Sequence, residues 1–100
     1  MKINTAFSPE YGTGVTISAT TTSAQASLTG NGSLIRVTNL GTALVFIKVG
    51  TGTVTAAATD TALPSGQSMT ICRTPVGSLH NVIAAVTASG TATVYAITGE

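Results

Sequence analysis

The stretch VTNLGTALVFIKVGTG, residues 37–52, decides how the chain is read. Its sixteen residues carry one charge, Lys48, and no His, Cys, Asp or Glu. The pattern is strand, turn, strand and turn. Asn39-Leu40-Gly41-Thr42 supplies turn formers between two runs of β-branched and apolar residues. In the second run, residues 43–49, a period of two puts Val45, Ile47 and Val49 on one face and Leu44, Phe46 and Lys48 on the other. Both faces are largely apolar, so this strand is expected either in the middle of a sheet or with one face against a partner chain.

Working outward, no long segment shows helical periodicity. Short alternating runs separated by turn residues dominate, the mark of an all-β domain. Strands are expected over 15–19, 24–29, 34–38, 43–49, 54–57, 68–73, 81–87 and 91–98. Asn31-Gly32 is a hairpin signal between the second and third, because both residues tolerate positive φ. Leu63-Pro64-Ser65-Gly66 reads as a β-turn with Pro in its second position and Gly in its fourth. Residues 74–79 read as a loop. The three alanines at 56–58 could instead open a short helical turn. The fold expected is a single all-β sandwich, jelly-roll-like, with about eight short antiparallel strands. Residues 1–12 form an extended N-terminal arm and residues 13–100 the sandwich domain.

Composition narrows what such a domain does. Hydrophobic residues make up 43% of the 100 residues, but charged ones only 7%, against about 25% in ordinary globular proteins. With a mean hydropathy of +0.45 the chain lacks the signature of disorder. Its surface must be built from Thr, Ser, Ala, Asn and Gly. A net charge of +1 gives little repulsion between copies, so this surface suits being covered by neighbours. The four basic residues, Lys2, Arg36, Lys48 and Arg73, are scattered and form no patch for phosphates. No nucleic-acid partner is therefore expected. No apolar run approaches the roughly 20 residues of a membrane-spanning helix, and the first residues lack the apolar core of a secretory signal. Synthesis in a cytoplasm is expected. The single cysteine, Cys72, permits no intrachain disulfide.

Catalytic inventory is thin. The acids are Glu10, Asp60 and Glu100, and Asp60 sits in TDTALPSG, where Asp is an ordinary turn former. Gly66-Gln67-Ser68-Met69-Thr70 misses the nucleophile elbow at its last position. A Cys72–His80 dyad is conceivable, but Cys72 is expected to be a buried mid-strand residue. His80 is expected at a strand edge or in a loop. One Cys and one His do not make a zinc site. The three G-x-G triplets, at 12–14, 30–32 and 50–52, do not extend to G-x-G-x-x-G, and strand turns account for them. No enzyme activity, cofactor or metal is expected. The aromatics are only Phe7, Tyr11, Phe46 and Tyr95, too few for the stacking platforms of most sugar-binding sandwiches. Phe46 and Tyr95 are expected in the core. Phe7, Pro9 and Tyr11 are the candidate partner-contact residues, anchors that pin the arm on this domain or on a neighbour, with the neighbour slightly favoured.

Four motifs then point to a family. The strand ending Val37-Thr38-Asn39, the turn GTALVFI at 41–47, the loop TDTALPSG at 59–66 and the closing ASGTATVY at 88–95, with the chain ending Gly99-Glu100, together resemble small β-rich virion proteins of tailed bacteriophages. The resemblance covers about residues 33 to 100, and its motifs are structural. It implies a non-enzymatic particle component, foremost a capsid decoration, or cement, protein. Such a protein would bind the major capsid protein on the exterior of the virion and stabilise the head. It also implies a homo-oligomer, with a trimer the leading expectation. A head–tail neck, head-fibre or tail-fibre component is the alternative, and a surface carbohydrate-binding module the third.

Overall fold

A computed structural model describes residues 7–73 and 80–100. Eight strands follow one another: β1 (Val15–Ala19), β2 (Ala24–Ser27), β3 (Leu34–Asn39), β4 (Val45–Gly50), β5 (Thr61–Leu63), β6 (Ser68–Cys72), β7 (Val82–Thr87) and β8 (Ala92–Gly99). They form two four-stranded sheets, β1-β8-β3-β6 and β2-β7-β4-β5. Every pairing is antiparallel. β1 pairs with β8, β2 with β7, β3 with β6 and β4 with β5, which is the connectivity of a jelly roll.

The period of two seen in the sequence builds the core. Ile17, Ala19, Ile35, Val37, Val94 and Ala96 of the first sheet face Val45, Ile47, Leu63, Ile83 and Ala85 of the second, all buried. Leu28 closes this layer from the β2–β3 connection. At about 1.5–3 kcal/mol for each fully buried large aliphatic side chain, this layer is the main stabilising term of the domain.

β7 is buried along its whole length, Val82–Thr87. Its inner residues belong to the core. Its outer residues, Val82, Ala84 and Val86, form a second cluster with Val54 and Ala56, against which Phe46 packs half-buried. The β4–β5 connection thus straps the outer side of the second sheet. This is why β4 is apolar on both faces: one meets the core, the other the strap.

Several expectations change. Residues 54–57 are not a strand. Their amides bond side chains instead of a neighbouring backbone: Val54 N–H donates to Gln25 Oε1 at 2.8 Å and Ala56 N–H to Ser23 Oγ at 2.9 Å. The missing eighth strand is β5, three residues inside the expected TDTALPSG loop and too short to show alternation. Asn31-Gly32 is no hairpin turn, because β2 and β3 lie in different sheets; the positive φ in that connection belongs to Gly30. The Pro64 turn is displaced by one residue. Gln67 N–H donates to Pro64 O at 3.1 Å, so Pro64 is first and Gly66, at φ +72°, third. Tyr95 is half-buried on the outer side of the first sheet and is absent from the core. The expected loop over 74–79 lies outside the described residues.

Candidate interaction surfaces

The jelly roll sorts its connections to two ends. At one end lie the turns 20–23, 40–44, 64–67 and 88–91. At the other lie the described part of the arm, the connections 28–33 and 51–60, and residues 73, 80 and 81.

The arm end holds the titratable groups. Ser8 N–H donates to Glu100 O at 2.6 Å, Glu100 N–H returns to Ser8 O at 3.0 Å, and Glu10 N–H donates to Thr98 O at 2.8 Å. Pro9 bridges Gly99. The described part of the arm thus lies along this chain's own β8, continuing the line of β1. Phe7 is half-buried there beneath the Arg36 guanidinium, 5.3 Å from the ring centroid. Pro9 is half-buried too, whereas Tyr11 is 91% exposed at the turn leading into β1. Of the three candidate contact residues, two face inward on this domain and one faces solvent. Domain and arm are therefore joined rather than separate from residue 7 onward.

Glu10 is the clip between arm and domain. Its carboxylate accepts Gly32 N–H at 2.7 Å, Asn31 N–H at 3.1 Å and the Thr98 hydroxyl at 3.0 Å. These amides, then that hydroxyl and the Arg73 charge, hold its carboxyl below the usual range near 4.5, against an opposing push from burial. Arg73 is 1% exposed and donates to His80 O at 2.9 Å, Gly32 O at 3.0 Å and Gly30 O at 3.3 Å. Burial pushes its guanidinium down and Glu10 pushes it back up. Glu100 accepts from Ser33 N–H and Oγ at 3.1 and 3.2 Å, and Asp60 caps Ala57 N–H at 2.7 Å. All three side-chain carboxylates of the chain are thus turned onto backbone amides of turns. The sequence signals for these clips are weak, because Glu10 and Gly32 are 22 residues apart and only the fold joins them.

The remaining chemical candidates sit at the same end. Cys72 is exposed at the end of β6, not buried mid-strand, because even positions of this edge strand face outward. His80 N–H donates to Arg73 O at 2.8 Å, and its ring Nδ1 is buried without a hydrogen-bond partner among the described residues. Among the described residues no three of His, Cys, Asp and Glu are grouped as metal ligands, and no helix is long and apolar enough to cross a membrane.

The opposite end differs in kind. Its four turns contain no charged residue. They carry two exposed large apolar side chains, Leu40 at 63% and Leu44 at 43%. Asn39, fully buried, ties two of the turns, 40–44 and 64–67, together. Its Nδ2 donates to Ala43 O at 2.8 Å and Leu63 O at 3.0 Å, and its Oδ1 accepts Gly41 N–H at 2.9 Å. Ser65 Oγ donates to Gly41 O at 2.7 Å and Leu40 N–H to Thr93 O at 2.8 Å. A shallow cleft of about 410 Å³ here is lined by Ser18, Thr20, Thr42, Thr91 and Thr93, with Gly41 and two alanines between them and no aromatic. A second cleft, of about 460 Å³, opens on the β5/β6 side, with Ile47, Val49 and Ile71 as its apolar walls.

No family model, no curated protein and no solved structure matches the chain.

Proposed function

We propose that the chain is a non-enzymatic structural protein of a tailed-bacteriophage virion, a decoration protein seated on the outside of the head on the major capsid protein. The observation that carries this reading is the division of the surface. The carboxylates and Arg73 are engaged in holding turns, and Tyr11, one of the three exposed large apolar residues among those described, is at the arm end, whereas the other two, Leu40 and Leu44, sit on a charge-free, hydrogen-bonded set of turns. Such an end has little to offer a reaction and much to offer a neutral protein surface. Jelly rolls occur in viral capsid domains, which supports the reading by analogy of fold alone. The motifs that resemble phage virion proteins support the choice of particle, and the low net charge fits a protein that works in a close-packed array.

In this reading Leu40 and Leu44 bury against the lattice while the arm end, with Tyr11, faces a neighbouring subunit. Contacts of this kind do not depend on ion pairs, so salt has little effect on them. The test is co-sedimentation of the labelled protein with purified heads that lack it, in dilute buffer and in concentrated salt. Saturable binding, unchanged within about twofold between the two conditions, is expected. Absence of saturable binding overturns the proposal.

A further inference from the structure

We infer that Asn31 is a site of spontaneous deamidation, gated by the Glu10 clip, and that the reaction releases the arm once it has occurred. The inference does not rest on the virion reading.

The reaction needs an asparagine followed by a residue whose backbone nitrogen can reach its side chain. The chain's four asparagines precede Thr5, Gly32, Leu40 and Val82. Of these only Gly32 has no side chain to obstruct the approach. The Gly32 nitrogen attacks Asn31 Cγ, and the Cγ–Nδ2 bond breaks. Nδ2 leaves as ammonia, taking the proton that the Gly32 amide gives up. The product is a succinimide ring, which water then opens. Opening between Cγ and nitrogen gives aspartate. Opening between the main-chain carbonyl and nitrogen gives isoaspartate, whose main chain runs through the former side chain. One water is consumed, one ammonia is released, and position 31 gains a carboxylate.

In the folded chain Glu10 holds this reaction back. Asn31 is exposed but Gly32 is buried. Gly32 N–H, on the attacking nitrogen, donates to Glu10 Oε1 at 2.7 Å, and Asn31 N–H donates to Glu10 Oε2 at 3.1 Å. A carboxylate on that N–H opposes loss of its proton, because the anion left behind would face a second negative charge. The bond also fixes the peptide plane, which must tilt for the nitrogen to reach Cγ. On the far side of the residue, Gly32 O accepts Arg73 Nη1 at 3.0 Å. There is no slack between these holds: a Cβ on Gly32 would strike Gly99 O and lie 2.7 Å from Glu10 Oε1.

Glu10 withdraws only if the arm lifts. The Ser8–Glu100 and Glu10–Thr98 backbone bonds and the Pro9–Gly99 bridge hold the arm along β8. The turn that joins it to β1 has room to pivot. Tyr11 is exposed there, Gly12 has φ +88°, and nothing lies within 4 Å of where a Gly12 Cβ would stand. A segment held by so few bonds opens locally without the domain unfolding. Each opening frees the Gly32 amide for attack.

The products do not remake the clip. Either one puts a second negative charge on the residue whose amide Glu10 holds. Isoaspartate also inserts a carbon between the two amides, which then no longer both reach one carboxylate. The step is one-way and leaves the arm loose, with Phe7 and Pro9 uncovered.

Peptide mapping by mass spectrometry tests this on protein aged in neutral buffer. In the folded wild type, deamidation at Asn31 is expected to be slower by about tenfold or more than in the same chain unfolded in guanidinium chloride. Gly99→Ala pushes on Ser8 O and the Phe7 ring, and Glu10→Ala removes the acceptor itself. Each is expected to raise the folded rate by about tenfold. Urea midpoints taken alongside show whether each variant is folded, so that the gain is not global unfolding, and where one fails to fold the other carries the test. In aged wild type the deamidated fraction is expected to be cut by protease within residues 7–12 faster than the intact fraction. Equal rates in folded and unfolded wild type, folded variants as slow as wild type, or an arm equally resistant in the deamidated fraction each overturn the inference. So does an Asn31 that stays intact in the unfolded chain.

Discussion

Replacing Asn39 tests whether the charge-free end is held together by one side chain. Asn39→Ala removes three hydrogen bonds, to Ala43 O, Leu63 O and Gly41 N. It keeps the two backbone bonds of residue 39, to Gln67 and Gly66. At a net cost of about 1 kcal/mol each, with a small cavity term added, the loss is about 3–4 kcal/mol. For a domain of this size, with total stability of about 5–15 kcal/mol, that is a large share. It corresponds to a fall in Tm of roughly 15–25 °C. Asn39→Asp separates the hydrogen bonds from the cavity. It keeps the shape and the acceptor for Gly41 N–H, but sets a carboxylate against two carbonyl oxygens. This variant is expected to be at least as unstable as Asn39→Ala at neutral pH. It should partly recover on acidification, because the protonated acid can donate to one of those carbonyls. Urea unfolding of the three proteins at about pH 7 and about pH 4 measures all of this. A loss below about 1 kcal/mol for Asn39→Ala, close to the range of ordinary surface substitutions, would refute the hub.

Other changes probe the rest of the frame. Glu10 has a depressed folded pKa, so its stabilisation is present above its unfolded value near 4.5 and lost as pH falls through the folded one. Glu10→Gln is expected to flatten that part of the acid-stability profile, measured as urea midpoints from neutral pH to about pH 2; an unchanged profile contradicts the clip. Arg73→Met leaves at least three backbone carbonyls without their donor and is expected to cost about 3 kcal/mol, read by thermal unfolding. Phe46→Ala, half-buried under the strap, is expected to lose about 2 kcal/mol, and Phe46→Asp more, because a carboxylate then faces Val54, Val82 and Val86. Gly99→Ala places a methyl group against Ser8 O and the Phe7 ring. It should release the arm to limited proteolysis near residues 7–12 and leave the sandwich resistant.

The architecture was legible where one face is buried and the other is not. Alternation in Val15–Ala19, in VFIKV and in ATVYAIT carried the strands, because a period of two is dictated by the pleat. It misled at residues 54–57, where an extended segment lies on a sheet without joining it, so that Val54 and Ala56 alternate like a strand. Asn31-Gly32 misled for another reason. A local turn signal cannot report that the next strand is in the other sheet, and Glu10, not a hairpin, decides that connection. Cys72 was misplaced because an edge strand exposes what a central strand buries. Of the arm residues, Phe7 and Pro9 could be read as anchors, but the side they anchor to depended on β8, at the far end of the chain. Asn39 was legible only as a turn former and Arg73 left no signal, since the partners of both are backbone groups, which carry no mark in the sequence.

The central claim is that this chain is a structural part of a virion head, and copy number tests it most directly. Quantitative mass spectrometry of virions purified from the host that produces the chain compares its peptides with those of the major capsid protein. Hundreds of copies per particle, in fixed proportion to the capsid protein, are predicted. A few to a few dozen would place it in the neck or fibres instead, and none would contradict the virion reading altogether.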